Sequence, residues 1–167
     1  GGINRFEHNR APASVDKQTV IRMNRDTLYS FAVVDVSAGA TLMIPDAGDR
    51  YLSVMVVNED HYINRVLHGE GRYDLTDDDV GSPYAVVAAR TLVDPQDPAD
   101  LASVAAIQDQ LLLSAAADRP FVLPDYDTES LDRTRKALLT LASDMTSFES
   151  TFGRKEDVDP VHHLVGT

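Results

Sequence analysis

The sequence contains no cysteine, few basic residues and no long apolar run. Without cysteine the chain can form no disulfide and no catalytic thiolate, and its redox compartment stays undecided. No segment approaches the ~20 continuous apolar residues of a membrane-spanning helix. Because 15 Lys and Arg stand against 27 Asp and Glu, the net charge of -12 repels phosphate backbones and anionic lipids. We therefore expect a soluble protein that binds no nucleic acid and has no membrane span.

A chain of 167 residues, of which 43% are hydrophobic, can bury a substantial core, so we expect a single domain over residues 1–167. Its first six residues lack the basic and then apolar pattern of a signal peptide. The compartment is therefore undetermined. It is periplasmic or extracellular if a signal peptide has been removed, and cytoplasmic otherwise.

The first half of the chain, residues 18–93, is predicted to be β-rich. Short β-branched and aromatic runs alternate with turn residues at intervals of roughly ten. The predicted strands lie at 31–36, 42–44, 51–57, 62–67 and 84–93. Tight turns are expected at 37–40, 46–49 and 69–71. Since short turns favour antiparallel pairing, we expect a mainly antiparallel β-sandwich or jelly-roll-like sheet.

The second half, residues 97–153, is predicted to be helical, which makes the fold class α+β. Asp97 is a suitable N-cap and Pro98 suits the first helical position, so a helix is predicted near 98–115. Asp127 or Thr128 opens a longer helix that runs to about 152, with Gly153 as its C-terminal stop. The architecture is thus a sheet structure with a C-terminal pair of α-helices.

The longer helix carries an apolar stripe, which repeats mainly every seven residues: Leu131, Leu138, Leu141, Met145, Phe148 and Phe152. Such a stripe is typical of a buried helix face. We expect it to pack against the sheet or the first helix. The alternative is a contact between subunits, which would make the protein a homo-oligomer.

Several segments, taken in order, resemble the DUF1254 family of bacterial proteins. The first is the run Asn24-Arg25-Asp26-Thr27-Leu28-Tyr29-Ser30, and the others are residues 45–51, 89–95 and 159–167. The resemblance implies the β-rich fold described above, but the family has no established general activity. In relatives the chain usually continues into a second β-rich domain called DUF1214. The resemblance thus adds a DUF1214-like domain as a partner, and it implies a fragment, a processed product or a short member.

The run that opens at Asn24 also supplies the candidate site residues. Alternate positions of an extended segment point to one side, so Asn24 and Asp26 can share a face. In the functional interpretation, Asp26 is a base or anchor and Tyr29 an acid or hydrogen-bond donor of a polar pocket. In the structural one, Asp26 and Thr27 cap a turn and Tyr29 packs its ring. Arg90 is the expected ion-pair partner of Asp26 if their strands are neighbours.

Neither metal nor cofactor is predicted. The acidic segment 76–79 could be taken for a calcium loop, but its spacing lacks the alternation and glycine of an EF-hand, so a solvated loop is expected. No histidine pair shows zinc-ligand spacing. The adjacent His162 and His163, if they lie in a strand, would point to opposite faces.

Two function classes remain open. The first is a noncatalytic β-sandwich module that binds a small ligand or a partner. The second is a hydrolase or related enzyme that acts on a small organic substrate. It would use a pocket around Asp26, Tyr29 and Arg90 with a histidine such as His61.

Overall fold

A computed structural model describes residues 2–14, 16 and 24–167 of the chain. Within these residues the strands are β1 Glu7–His8, β2 Thr27–Asp35, β3 Ala40–Ile44, β4 Leu52–Asn58, β5 Ile63–His68, β6 Gly71–Leu75, β7 Tyr84–Leu92 and β8 Leu112–Ala115. The helices are α1 Asp77–Val80, α2 Pro98–Gln108, α3 Thr128–Ser143 and α4 Pro160–Gly166. The predicted start of the β-rich part, residues 18–23, lies outside the described residues.

The strands form two antiparallel sheets that share one core. The larger sheet has the order β1-β2-β7-β4-β5 and the smaller one the order β6-β3-β8. Buried side chains of both sheets form a single cluster, which includes Val34, Val54 and Val87 from the larger sheet and Leu42 and Leu75 from the smaller. The predicted α+β class, with mainly antiparallel sheets and C-terminal helices, is confirmed.

Strand β2 begins earlier than predicted, because Thr27–Ser30 belongs to the strand rather than to a segment before it. Residues Leu28, Ser30, Ala32 and Val34 of β2 are buried towards the core, and the alternate residues lie on the opposite face. All nine residues of β2 pair with β7. The second half of the polar motif, Thr27–Ser30, is therefore held in the ladder between β2 and β7.

Helix α2 starts as predicted but ends seven residues early. Asp97 accepts a hydrogen bond from the Ala99 amide, which confirms it as N-cap. The helix ends at Gln108, and Leu112–Ala115 then pairs with β3 as strand β8. The apolar run from Leu111 suits either structure, and here the unpaired edge of β3 favours the strand.

The acidic segment is a short helix rather than the predicted loop. Thr76 is its N-cap and accepts from the Asp79 amide, while Gly81 ends it with a left-handed φ of 78°. The three aspartates occupy the first turn, where the helix dipole favours negative charge. Val80 is fully buried, so this turn closes the end of the sandwich.

Helix α3 corrects two predictions. Asp127 is its N-cap, as expected, but the helix ends at Ser143, so Gly153 is not its stop. None of its residues is buried. The predicted buried stripe is wrong for this chain, since Leu131 is 53% exposed and Phe152, beyond the helix, is 61% exposed.

The C-terminal segment that carries the adjacent His162 and His163 is helix α4 rather than a strand. Its buried His163 accounts for its position: Nδ1 lies 3.1 Å from the Thr151 carbonyl oxygen and Nε2 2.9 Å from the Asp60 carbonyl oxygen. The imidazole also stacks on Tyr62 with 4.3 Å between centroids. His163 thereby fastens α4 to the turn between β4 and β5.

Candidate functional site

Two neighbouring rows of side chains on the outer face of the five-stranded sheet, which points away from the core, are apolar. Strand register places Phe31, Ala88, Met55 and Val66 in one row across it. A second row contains Val33, Val86, Val57 and Ile63. In an antiparallel sheet of a sandwich, the face turned away from the core is usually polar and exposed to water. An apolar surface that the smaller sheet does not cover is therefore available for binding.

A segment that we call the outer arm, residues 116–126, borders this face. Arg119 anchors it by donating to the buried Asp35 carboxylate from its backbone amide, Nε and Nη2, at 2.9 to 3.0 Å. The Arg119 guanidinium holds the pKa of Asp35 well below its usual range. Tyr84 adds a T-shaped contact with Phe121 at 5.1 Å. The arm is thus fixed at one end by a buried, charge-assisted contact.

The outer arm and the sheet enclose what we call the outer-face cavity, with a volume of about 680 Å³. Its lining is largely apolar, with Phe31, Val33, Met55, Val57, Val86, Phe121, Val122 and Leu123 among its residues. The polar lining includes Asn58, Glu59 and His61 at one end. The arrangement can hold an apolar molecule against the sheet.

His61, a candidate from the sequence, lines this cavity with an unusual backbone. Its φ of 65° is left-handed, which is uncommon for a residue with a side chain. Asn58 holds the turn, because its Oδ1 accepts from the amides of Asp60 and Tyr62 and its Nδ2 donates to the Val80 carbonyl. The strain at His61 is thus supported by a buried amide.

A second cavity, which we call the rim pocket, has a volume of about 640 Å³ and lies at the other end of β2. Its lining includes Asn24, Thr27 and Tyr29 from the sequence motif. Asp26 and Arg90 line neither the rim pocket nor the outer-face cavity. The structure therefore brings together three of the six sequence candidates and places His61 elsewhere.

Asp26 and Arg90 do not form the predicted ion pair. Register places Arg90 opposite Tyr29, and its guanidinium lies over that ring at 5.4 Å. The Asp26 amide donates to Asn24 Oδ1 at 2.7 Å, which is a local turn. Arg90 is thus a stacking partner of Tyr29, and Asn24 is the residue that caps the turn.

The rim pocket also contains a group that sequence reasoning missed. His8 Nδ1 lies 2.8 Å from Ser30 Oγ, and the buried Gln108 donates from Nε2 to the same oxygen at 3.2 Å. Burial lowers the pKa of His8, and the nearby Arg10 lowers it further. His8 and Gln108 are a hundred positions apart in the chain, so their common contact with Ser30 could not be predicted from the spacing of nearby residues.

One polar atom that lines the rim pocket has no hydrogen-bond partner among the residues that the structure describes. Thr27 Oγ1 is buried without a hydrogen bond, and so is Thr91 Oγ1 on the opposite face of the sheet. Thr27 is 7% exposed and lines the rim pocket, whereas Thr91 is fully buried in the sandwich. Buried hydroxyl groups usually form a hydrogen bond. The Thr27 hydroxyl is therefore an unsatisfied polar group in the lining of this pocket.

The described residues contain no group of three or more His, Asp or Glu residues arranged to hold a metal ion. Within the same ranges, no helix has the length and apolar content needed to cross a bilayer.

Comparison with known proteins places the chain in a family and a fold. No curated protein matches the sequence. Among solved structures, the chain is similar to the VPA0106 protein from Vibrio parahaemolyticus, with a TM-score of 0.67 and 13% identity. The match covers 86% of this chain and 56% of that one, so this chain spans little more than half of that protein. The family model for proteins of unknown function named DUF1254 matches residues 3–115. The predicted resemblance is confirmed, and the chain belongs to the DUF1254 family.

Proposed function

We propose that the domain is a binding module whose outer-face cavity takes a small, largely apolar molecule. The observation that carries the proposal is the cavity itself, about 680 Å³ between an apolar sheet face and the outer arm. Ligand pockets typically enclose ~300–1,000 Å³ with mostly apolar walls and a few polar groups. Asn58, Glu59 and His61 supply such groups at one end.

The proposal also accounts for the apolar side chains that this face exposes to water. Phe31 and Val86, both in the lining, are each 41% exposed. Contiguous exposed apolar surface is uncommon on soluble proteins and often marks a binding groove. A bound apolar ligand would remove this surface from water, at about 25 cal/mol per Å² of apolar area. The hydrolase alternative around Asp26, Tyr29 and Arg90 has weaker support, because Arg90 stacks on Tyr29 and is not paired with Asp26.

The experiment is a fluorescence titration with uncharged N-phenyl-1-naphthylamine, which brightens in apolar sites. Met55→Glu would place a carboxylate in the cavity lining, and burying an unpaired charge is costly. Binding should weaken at least about 10-fold. Val66→Glu is the matched control, since Val66 pairs with Met55 on the same face but does not line the cavity. Absent binding by the native chain, or equal losses in both variants, would refute the proposal.

The exposed stripe of α3 supports a second function, which is contact with a partner protein. Leu131 and Leu141 of the stripe are each about half exposed, and so is Leu139 beside it. The proposed occupant is a DUF1214-like domain, since the similar Vibrio chain extends well beyond the matched part. Exposed apolar stripes of this kind mark protein interfaces.

Sedimentation velocity tests this contact. The isolated chain should be monomeric and should form a one-to-one complex with a separately produced DUF1214-like domain. Leu141→Glu should abolish the complex, whereas Thr140→Glu, with the same charge change on the other side of the helix, should not. Self-association of the isolated chain that Leu141→Glu removes would assign the stripe to a homo-oligomer instead.

A further inference from the structure

The rim pocket and the outer-face cavity share one wall, which is the ring of Phe31. This ring stacks on Tyr29 with 5.6 Å between centroids and 11° between planes. Tyr29, Phe31 and Val33 follow one another on the outer face of β2, where alternate residues are ~7 Å apart. A single extended molecule lying on this face would therefore meet the apolar cavity at one end and the rim pocket at the other.

The rim pocket offers hydrogen-bond donors. Asn24 Oδ1 is occupied by the Asp26 amide, so the side-chain amide hydrogens remain.

Thr27 adds the observation that points most directly to a ligand. Its hydroxyl is more than nine-tenths buried, lines the rim pocket and has no partner in the described part of the chain. The hydroxyl can donate one hydrogen bond. A ligand atom that accepts it would relieve a buried polar group that is otherwise unsatisfied.

Arg10, which lines the rim pocket, is paired with Asp109. Arg90 lies over the Tyr29 ring and is not part of that lining. The net charge of -12 opposes an anion. Uncharged donors on a protein of negative net charge fit an uncharged acceptor better than a carboxylate.

We infer that the two cavities form one site for an uncharged amphiphile, an alkyl chain that ends in a carbonyl group such as an ester. The alkyl chain lies in the outer-face cavity and the carbonyl oxygen accepts from Thr27 and Asn24 in the rim pocket. The inference rests on the proposed function, which places an apolar molecule in the outer-face cavity. It adds the carbonyl head group of that molecule and the residues that bind it.

The test compares probes of equal chain length, which displace N-phenyl-1-naphthylamine. Methyl decanoate carries the acceptor head, chlorodecane is uncharged with a poor acceptor, and decanoate is the anion. Methyl decanoate should bind the native chain about 5-fold or more tightly than chlorodecane, the size of one net hydrogen bond. Decanoate should bind more weakly than the ester.

Variants then locate the head. Thr27→Val removes the hydroxyl at nearly constant shape and should bring methyl decanoate down to the affinity of chlorodecane, while Thr27→Ser should keep the preference. Thr91→Val is the matched control, because Thr91 is also buried and unpartnered but lies on the core face. It should leave every probe unchanged.

The two proposals fail differently. If N-phenyl-1-naphthylamine does not bind, the apolar cavity is not a ligand site and both fall. If that dye binds but the ester has no advantage over chlorodecane, or Thr27→Val changes nothing, only the head-group inference is overturned. Tighter binding of decanoate than of methyl decanoate would also overturn it, since the site would then select an anion.

Discussion

The sandwich and the C-terminal helical region contain similarly strong apolar patterns but bury them very differently. In the sandwich, Val34, Leu42 and Val87 are almost fully enclosed by the facing sheet. In α3 no residue is buried, although the stripe is as regular as any in the chain. A periodic apolar pattern therefore indicates that one face of a helix or strand is apolar. It does not indicate whether another part of the same chain packs against that face.

Truncation of one leucine in each region should give the largest difference in the free energy of unfolding between the sandwich and α3. Leu42→Ala in the core should lower the free energy of unfolding by about 2–5 kcal/mol, through lost transfer energy and a residual cavity. Leu131→Ala on α3 should change it by about 0.5 kcal/mol or less, as for an exposed site. Urea unfolding of the dilute chain measures both. Equal losses would mean that α3 packs against this chain after all.

A smaller effect is expected where the two regions meet, at His163. His163→Ala removes contacts with two backbone carbonyls and the stacking on Tyr62. We expect α4 amides to exchange faster by about an order of magnitude or more, because local opening becomes easier. Hydrogen exchange with mass spectrometry measures this, and protection in β2 and β7 serves as the internal control. Loss of protection throughout the chain would contradict the separation of the regions.

The anchor of the outer arm should make sandwich stability depend on pH. The lowered pKa of Asp35 means that its ionised form stabilises the folded state above the ordinary value of 3.8, and this contribution is lost as pH falls towards the folded pKa. Asp35→Asn should therefore be less stable than the native chain at pH 6, with a gap that narrows below pH 4. Unfolding at several pH values measures the gap. A gap of constant size would show that the carboxylate charge is not responsible.

The smallest effect concerns the cap of α3. Asp127 accepts from the amides of Glu129 and Ser130, and losing such a cap costs about 1 kcal/mol of helix stability. Asp127→Ala should reduce the helical circular dichroism signal and leave the cooperative unfolding of the sandwich in place. Asp127→Asn is the control, since asparagine caps equally well. A shift of the main unfolding transition would tie α3 to the core.

Much of the fold follows from local signals. The caps at Asp97 and Asp127 and the turns of the first half could be predicted because each depends on a few adjacent residues. The end of α2 could not, since Leu112–Ala115 becomes a strand only when β3 offers an edge. The same limit explains α3, because an apolar stripe does not itself determine whether another part of the chain packs against it.

The candidate site was only partly predictable for a related reason. The motif that begins at Asn24 suggested a polar pocket, and Asn24, Thr27 and Tyr29 do line one. The outer-face cavity depends on the register that aligns Phe31, Ala88 and Met55 across three strands. The pairing of His8 with Ser30 likewise depends on a short edge strand. Neither can be deduced from spacing along the chain.

Phe31 has a further consequence, because one ring serves as the wall of two cavities. A molecule that turns this ring from one side changes the space on the other side by the same movement. If an occupant of one cavity turns the ring, its binding is coupled to binding in the other cavity, and the coupling is reciprocal: each occupant changes the affinity for the other by the same factor.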